Sequence, residues 1–293
     1  MKPISENVVI QIEITNGCIL ACANCTRHVG HHRKPFFMSP DEVRNAIKSL
    51  EGFPGRVGCM GGEPAMHPQF LEILEIYRDM LDKDRREFWT MGWKWYEYEA
   101  AINETFHPHL IHYNDHTQTT GKHQPLLVAI EDVIPDAGLR EELIDDCWVQ
   151  RQWSASITNR GAFFCEVAAS LDHLFDGPGG WPVEPDWWRR IPEDYAEQRD
   201  FACNKCSAAI PMDTLSDGRG GRDGPTVDVV SVGNLERLRA VKSPKVARGH
   251  YQVFDEALTR EDLKKDGWHP SHFRDFVAHS PDDVAENLTK TVE

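Results

Sequence analysis

At 293 residues, with ordinary hydrophobic content and nine tryptophans, the chain carries enough apolar surface for one sizeable core, or one large domain with a small appendage, which excludes a disordered chain. A formal net charge of −15 argues against a broad phosphate-binding surface, so nucleic acid is not an expected partner, and the acidic field favours cationic partners. No apolar run reaches membrane-spanning length and the start lacks a signal-peptide pattern, so a cytoplasmic protein with reduced thiols is expected and the eight cysteines read as metal ligands, not disulfides.

In chain order, the β-branched run Val8–Ile14 predicts a strand that delivers the loop Thr15-Asn-Gly-Cys18. Ser39-Pro40-Asp41-Glu42 predicts a helix start, with an N-cap serine, proline at N1 and acids in the first turn. Arg56–Met60 reads as a second strand ending in Gly61-Gly62-Glu63-Pro64, and Pro68–Leu81 as an amphipathic helix. Further strands are expected near Phe88–Met91, Leu110–Tyr113 and Leu126–Ile130, with a helix around Tyr96–Ile102. Strands alternating with helices imply βα units and a parallel sheet. A helix at Gly138–Cys147 precedes a β-hairpin built from Trp153–Ile157 and Ala162–Val167 across the turn at Gly161. The Trp-rich stretch 181–188 reads as packing at a domain junction, or as a cover for substrate. Asp217–Gly224 reads as a linker, and the last seventy residues as polar with short helical patches. The expected organisation is residues 1–145, 146–215 and 216–293.

Cys18, Cys22 and Cys25 are spaced C-x3-C-x2-C. Three thiolates on one short loop can hold three irons of a 4Fe–4S cube and leave the fourth open for an exchangeable ligand. A zinc site completed by His28, His31 or His32 is the alternative. Cys59 lies two residues before Gly61 and so shares a strand face with it. It is either a small core residue or a thiol able to donate a hydrogen atom to a substrate.

The cysteine loop after the first strand, with Gly61-Gly62-Glu63-Pro64 after the second, resembles the radical S-adenosylmethionine (SAM) superfamily. That resemblance implies an α/β fold, a partial (βα)6 TIM-like barrel, with a small C-terminal β-hairpin and helix iron–sulfur domain. It implies cluster ligation by Cys18, Cys22 and Cys25, and contacts to the SAM methionine from Gly61, Gly62 and Glu63. Asn114 and Asp115 fall where side chains meet the ribose, and Ile130 where the adenine is lined. Asn24 departs from the family, which usually places an aromatic residue before the third cysteine. Cys147, Cys165, Cys203 and Cys206, spaced C-x17-C-x37-C-x2-C, resemble the twitch form of the SPASM extension, which holds an auxiliary 4Fe–4S cluster; the first spacing and the terminal pair are similar to those of aminocyclitol dehydrogenases in the group. A structural zinc at these four remains the alternative, and Cys147 could be an ordinary buried thiol.

The resemblance further implies reductive cleavage of SAM to a 5′-deoxyadenosyl radical, with electrons from a partner such as flavodoxin or ferredoxin. The expected substrate is small and polar (a sugar, aminocyclitol or nucleotide), oxidised or epimerised at a hydroxyl-bearing carbon. Glu131, Asp132, Asp115 and His116 sit at predicted strand ends, and one of His112, His116 and His123 is a candidate proton acceptor, His116 foremost. Two other readings stay open. One is a peptide-modifying radical SAM enzyme, against which the early start of the barrel counts; the other is a zinc-stabilised binding protein.

Overall fold

The computed structural model describes residues 1–114, 123–213, 215–216 and 226–263. A six-stranded sheet forms its centre, in the order β4-β3-β2-β1-β5-β6. Strands β1 (Val9–Thr15), β2 (Arg56–Gly61), β3 (Arg86–Thr90) and β4 (Ile111–Tyr113) run parallel. The connecting helices are α1 (Pro40–Ser49), α2 (Phe70–Met80) and α3 (Trp95–Thr105). The first crossover begins as the sequence predicts. Ser39 caps α1 in a reciprocal box: its hydroxyl accepts from Glu42 N, and the Glu42 carboxylate accepts from Ser39 N at 2.6 Å.

Alternation along β1 sets the layers. Ile10, Ile12 and Ile14 are fully buried against Val43, Ile47, Ile73 and Ile76 of the helices. Val9 and Gln11 take the opposite face and line a cleft. This is a mixed α/β fold with a parallel-dominated sheet, a partial barrel of the expected kind.

The fifth strand is not the one expected. Leu126–Ile130 stays out of the sheet: Leu127 makes a single parallel bridge to Val230, and Ile130 opens the short helix α4 (Ile130–Val133). Its backbone is satisfied elsewhere, Val128 N by Ser207 Oγ and Ala129 N by Ser231 Oγ, while Ser231 N donates to Leu127 O. The free edge of β1 is taken instead by β5 (Ala155–Thr158), parallel to it, with β6 (Gly161–Phe163) antiparallel beyond. The hairpin is therefore an extension of the barrel sheet. Gly161, at φ +120°, supplies its turn.

Helix α5 (Ala137–Asp145) ends before Cys147, which sits at the joint with α6 (Trp148–Gln152). After the hairpin come α7 (Glu166–Phe175) and α8 (Ala196–Ala202). The C-terminal part is more than polar patches: β7 (Leu215–Ser216), β8 (Thr226–Ser231) and β9 (Tyr251–Phe254) form a second sheet, flanked by α9 (Val232–Ala240) and α10 (Pro244–Ala247). Val230, Leu235 and Leu238 join the main core, while Val128, Ile130 and Val229 belong to a second. Trp187 and Trp188 are buried on the outer side, where Trp187 Nε1 donates to Ser49 Oγ and Trp188 meets Phe53 edge-on, so the Trp-rich stretch is packing. Among the described residues no helix is long and apolar enough to cross a membrane.

Candidate active site and cysteine centres

A cleft of about 320 Å³ opens at the C-terminal ends of β1–β3, lined by Cys18, Cys22, Cys25, Gly61, Gly62 and Asn114 among others. The cysteine loop leaves β1 through Thr15, whose hydroxyl donates to Phe36 O and accepts from Gly17 N at 2.8 Å. The strand-two turn lies directly on this loop: Gly62 N donates to Thr15 O at 2.8 Å and Glu63 N to Gly17 O at 2.7 Å. A Cβ on Gly61 would stand 2.1 Å from Thr15 O, and one on Gly62 would stand 2.4 Å from Gly17 O. Only glycine permits that approach.

Burial pushes the thiols of Cys18 and Cys22 up, the latter to about 12, with the neighbouring Cys25 adding to it. Thiols in this setting ionise when a cationic centre binds them. Three such donors converging on one cleft beside a side-chain-free turn fit the cluster and SAM that this kind of loop implies. Among the described residues no three His, Cys, Asp or Glu side chains converge on a single metal-ion position.

Other expected site residues fall elsewhere. Glu63 is fully buried, and its carboxylate accepts from Ala65 N, Thr90 Oγ1 and Met91 N, at 3.1, 2.8 and 2.8 Å. It therefore ties the turn to the end of β3 and does not line the cleft. Burial raises its pKa to about 7 despite those hydrogen bonds. Cys59 shares the helix-facing side of β2 with Val57, fully buried in the core beside Tyr77, and is absent from the cleft lining. Strand alternation buries it, so it is a core residue and not a hydrogen donor.

Ile130 packs in the second core with Val133 and Val229, because the segment before it pairs with β8; it does not line the cleft. Glu131 pairs with Arg237 at 2.6 Å and Asp132 accepts from Gly233 N, so both anchor α9. Asp115 and His116 lie outside the described residues. Of the remaining histidines, His123 lines the cleft, and His112 stacks on Trp89 with ring centroids 4.3 Å apart.

The sequence reading did not single out the charged floor of the cleft. Arg27, two residues after Cys25, is buried and makes an ion pair with Glu13 at 3.2 Å and another with Glu166. It also approaches Met60 Sδ at 2.9 Å. Burial raises Glu13 to about 7; Arg27 opposes that shift, and the charge of Glu166 adds to it. Arg27 and Glu166 line the cleft with Gln11, Trp89, Thr90, Trp153 and Ser154. A signal for Gln11 and Glu13 existed, since they are the polar positions of a strand whose other face is Ile10, Ile12 and Ile14. None existed for Arg27.

Cys147, Cys165, Cys203 and Cys206 ring a second, smaller cavity of about 30 Å³ between α6, α7 and α8. Burial raises all four thiols, Cys165 to about 12. The loop after Cys206 is fixed by Gln124, whose Nε2 donates to Ile210 O at 2.6 Å and Ser207 O at 3.0 Å.

With this geometry in view, the comparison with known families bears on the cleft-forming segment. Residues 12–105 match the Radical SAM superfamily model. The matched segment contains the cysteine loop and the Gly61–Gly62 turn, and the family whose model it matches is one of enzymes that use a 4Fe–4S cluster and SAM. Two solved structures are similar. BtrN in complex with AdoMet and 2-DOIA has 13% identity and a TM-score of 0.41, over 67% of this chain and 87% of that chain. SeMet BtrN in an open conformation has 16% identity and a TM-score of 0.35, over 54% of this chain and 69% of that chain. No curated protein matches the sequence.

Proposed function

We propose that the chain is a two-cluster radical SAM enzyme that removes a hydrogen atom from a small polar substrate, leading to oxidation or epimerisation at a hydroxyl-bearing carbon. The observation that carries this reading is the shared cleft: Cys18, Cys22 and Cys25 line it together with Gly61 and Gly62, inside the radical SAM domain. When bound, a 4Fe–4S cluster with SAM supplies a carbon-centred radical, and a second cluster supplies an electron acceptor.

The protein's own residues do the positioning. Gly61 and Gly62 leave backbone exposed to the SAM amino group, and Asn114 faces the cleft at the end of β4. Trp89, Trp153 and Met91 exclude water from the reacting centre, while Gln11, Ser154 and the Arg27–Glu166 pair offer polar contacts to a hydroxylated ligand. Among the described residues, Gln11 Oε1 is buried without a hydrogen-bond partner, as expected of a group that a ligand completes. The four cysteines of the second cavity are the proposed ligands of the auxiliary cluster. An electron-transfer protein such as flavodoxin or ferredoxin is the proposed reductant, in the cytoplasm.

Anaerobic reconstitution tests this. The wild type should hold about eight irons with matching sulfide, and the Cys18/Cys22/Cys25→Ala variant about four. Dithionite with SAM should yield 5′-deoxyadenosine from the wild type alone. Absence of that product from a fully loaded wild type would sink the proposal.

A further inference from the structure

The loop that carries Cys18, Cys22 and Cys25 is held from the far end of the chain. Asn24, at φ +51°, donates its backbone N–H to Asp228 Oδ1 at 2.5 Å, and its side-chain Oδ1 accepts from Val229 N at 3.0 Å. The buried Lys245 Nζ donates to the Cys22 carbonyl at 2.7 Å and pairs with Asp228 Oδ2 at 2.7 Å. His31, just past the loop, reaches Asp228 Oδ2 at 3.0 Å through Nε2 and Ser243 Oγ at 2.8 Å through Nδ1. Gly30 is hollow for the same partner, since a Cβ there would stand 2.6 Å from Lys245 Cδ. Asp228, Lys245, His31 and Asn24 are each at most 3% exposed, so this is a desolvated charge network bearing on one short loop.

We propose that residues 227–245 form a clasp that seats this loop, in which Lys245 and Asp228 are positioning residues for the cluster. They fix the Cys22 carbonyl and the Asn24 amide, and they place one cation and one anion beside the loop. The inference rests on the assignment of Cys18, Cys22 and Cys25 as cluster ligands. A cluster's reduction potential follows nearby charge and hydrogen bonding. Removing the cation therefore lowers the potential, and removing the anion raises it.

Two variants test the clasp in the full-length protein. Lys245→Met keeps the alkyl stem that fills the space at Gly30 and removes the ammonium; Asp228→Asn keeps the shape and removes the carboxylate charge. After anaerobic reconstitution, iron loss to EDTA is followed, and potentiometric EPR is read on the signal that changes when SAM is added. Both variants should lose that cluster several-fold faster than the wild type. The midpoint should move to more negative values in Lys245→Met and to more positive values in Asp228→Asn, and Lys245→Arg should return it toward the wild-type value. Should Lys245→Met fail to fold, Asp228→Asn and Lys245→Arg still decide the sign. Wild-type retention with unmoved midpoints would overturn the clasp alone. A wild type that takes up no iron would overturn the cluster assignment and the clasp together.

Discussion

Gly58 and Gln11 show how one residue's absence of a side chain serves another. They sit opposite each other on β2 and β1, and a Cβ on Gly58 would stand 1.9 Å from Gln11 Oε1. Gly58→Ala should therefore force the buried Gln11 amide aside and cost about 1–3 kcal/mol, the range for overpacking. The double variant with Gln11→Ala should recover most of that loss in thermal denaturation. Asn24 makes a second case. Its left-handed backbone suits asparagine, and its side chain bonds the backbone of residues 227 and 229, which explains why no aromatic residue stands there. Asn24→Ala should cost about 1–3 kcal/mol by stranding buried backbone groups, visible as a lower denaturation midpoint. That Cys18, Cys22, Cys25, Gly61 and Gly62 meet in one cleft was legible in the sequence, because loops at the same ends of neighbouring parallel strands fall together. Arg27 and the inward turn of Glu63's carboxylate were not, because a buried ion pair depends on partners 14 and 139 residues away.

At the level of elements, β1–β4 and their helices follow from apolar periodicity and capping, and the structure has them nearly where the sequence predicts. The Leu126–Ile130 run was misassigned because strand-like composition says nothing about which sheet edge accepts it. The edge of β1 goes to β5, whose hairpin partner lies close in sequence, while Leu126–Ile130 pairs with β8 a hundred positions on. Gln124 is the hinge of that choice. Its Nε2 donates to carbonyls of residues 207, 208 and 210, and its Oε1 accepts from Trp148 Nε1 at 3.0 Å. Gln124→Leu should cost about 1–3 kcal/mol. It should also deplete iron at the proposed second site selectively, leaving the SAM-sensitive signal in place; iron counting with EPR would read the difference.

For the whole molecule, the dependence of stability on pH combines buried groups of opposite sign: burial raises the carboxyls Glu13 and Glu63 and lowers the histidines His28 and His32. Glu13 and Glu63 have folded pKa values of about 7 against an ordinary value of 4.5. The native state then binds protons that the unfolded chain has lost, so their contribution to stability is fullest below about pH 4.5 and is lost as pH rises through about 7. Asp228 works the other way. Burial would raise it, but the His31 hydrogen bond and the Lys245 charge outweigh burial and hold it at about 2, so its contribution is present above about pH 3.8 and fades as pH falls through 2. The buried histidines His28 and His32 act in the opposite sense, because burial keeps them neutral in the fold and their contribution fades as pH falls below about 6.5; the carboxyl contribution, up to about 3 kcal/mol for each raised group between about pH 4.5 and 7, is therefore read by difference. Glu13→Gln should gain stability relative to the wild type as pH rises from about 4.5 to 7, measured by calorimetry of the two cluster-free proteins across the range.

The bond between Asn24 and Asp228 spans 204 positions. A ribosome makes the cysteine loop early and its anchors late. Synthesis is vectorial and takes of order ten seconds or more for two hundred residues, so throughout that interval the three thiols are present without the geometry that gathers them. On the clasp reading, the proposed cluster site gains its anchors only once residues 227–245 have been made, so cluster insertion is expected to follow their synthesis. A truncated product that ends before residue 228 should carry every proposed ligand and still hold the SAM-binding cluster less firmly than the full chain.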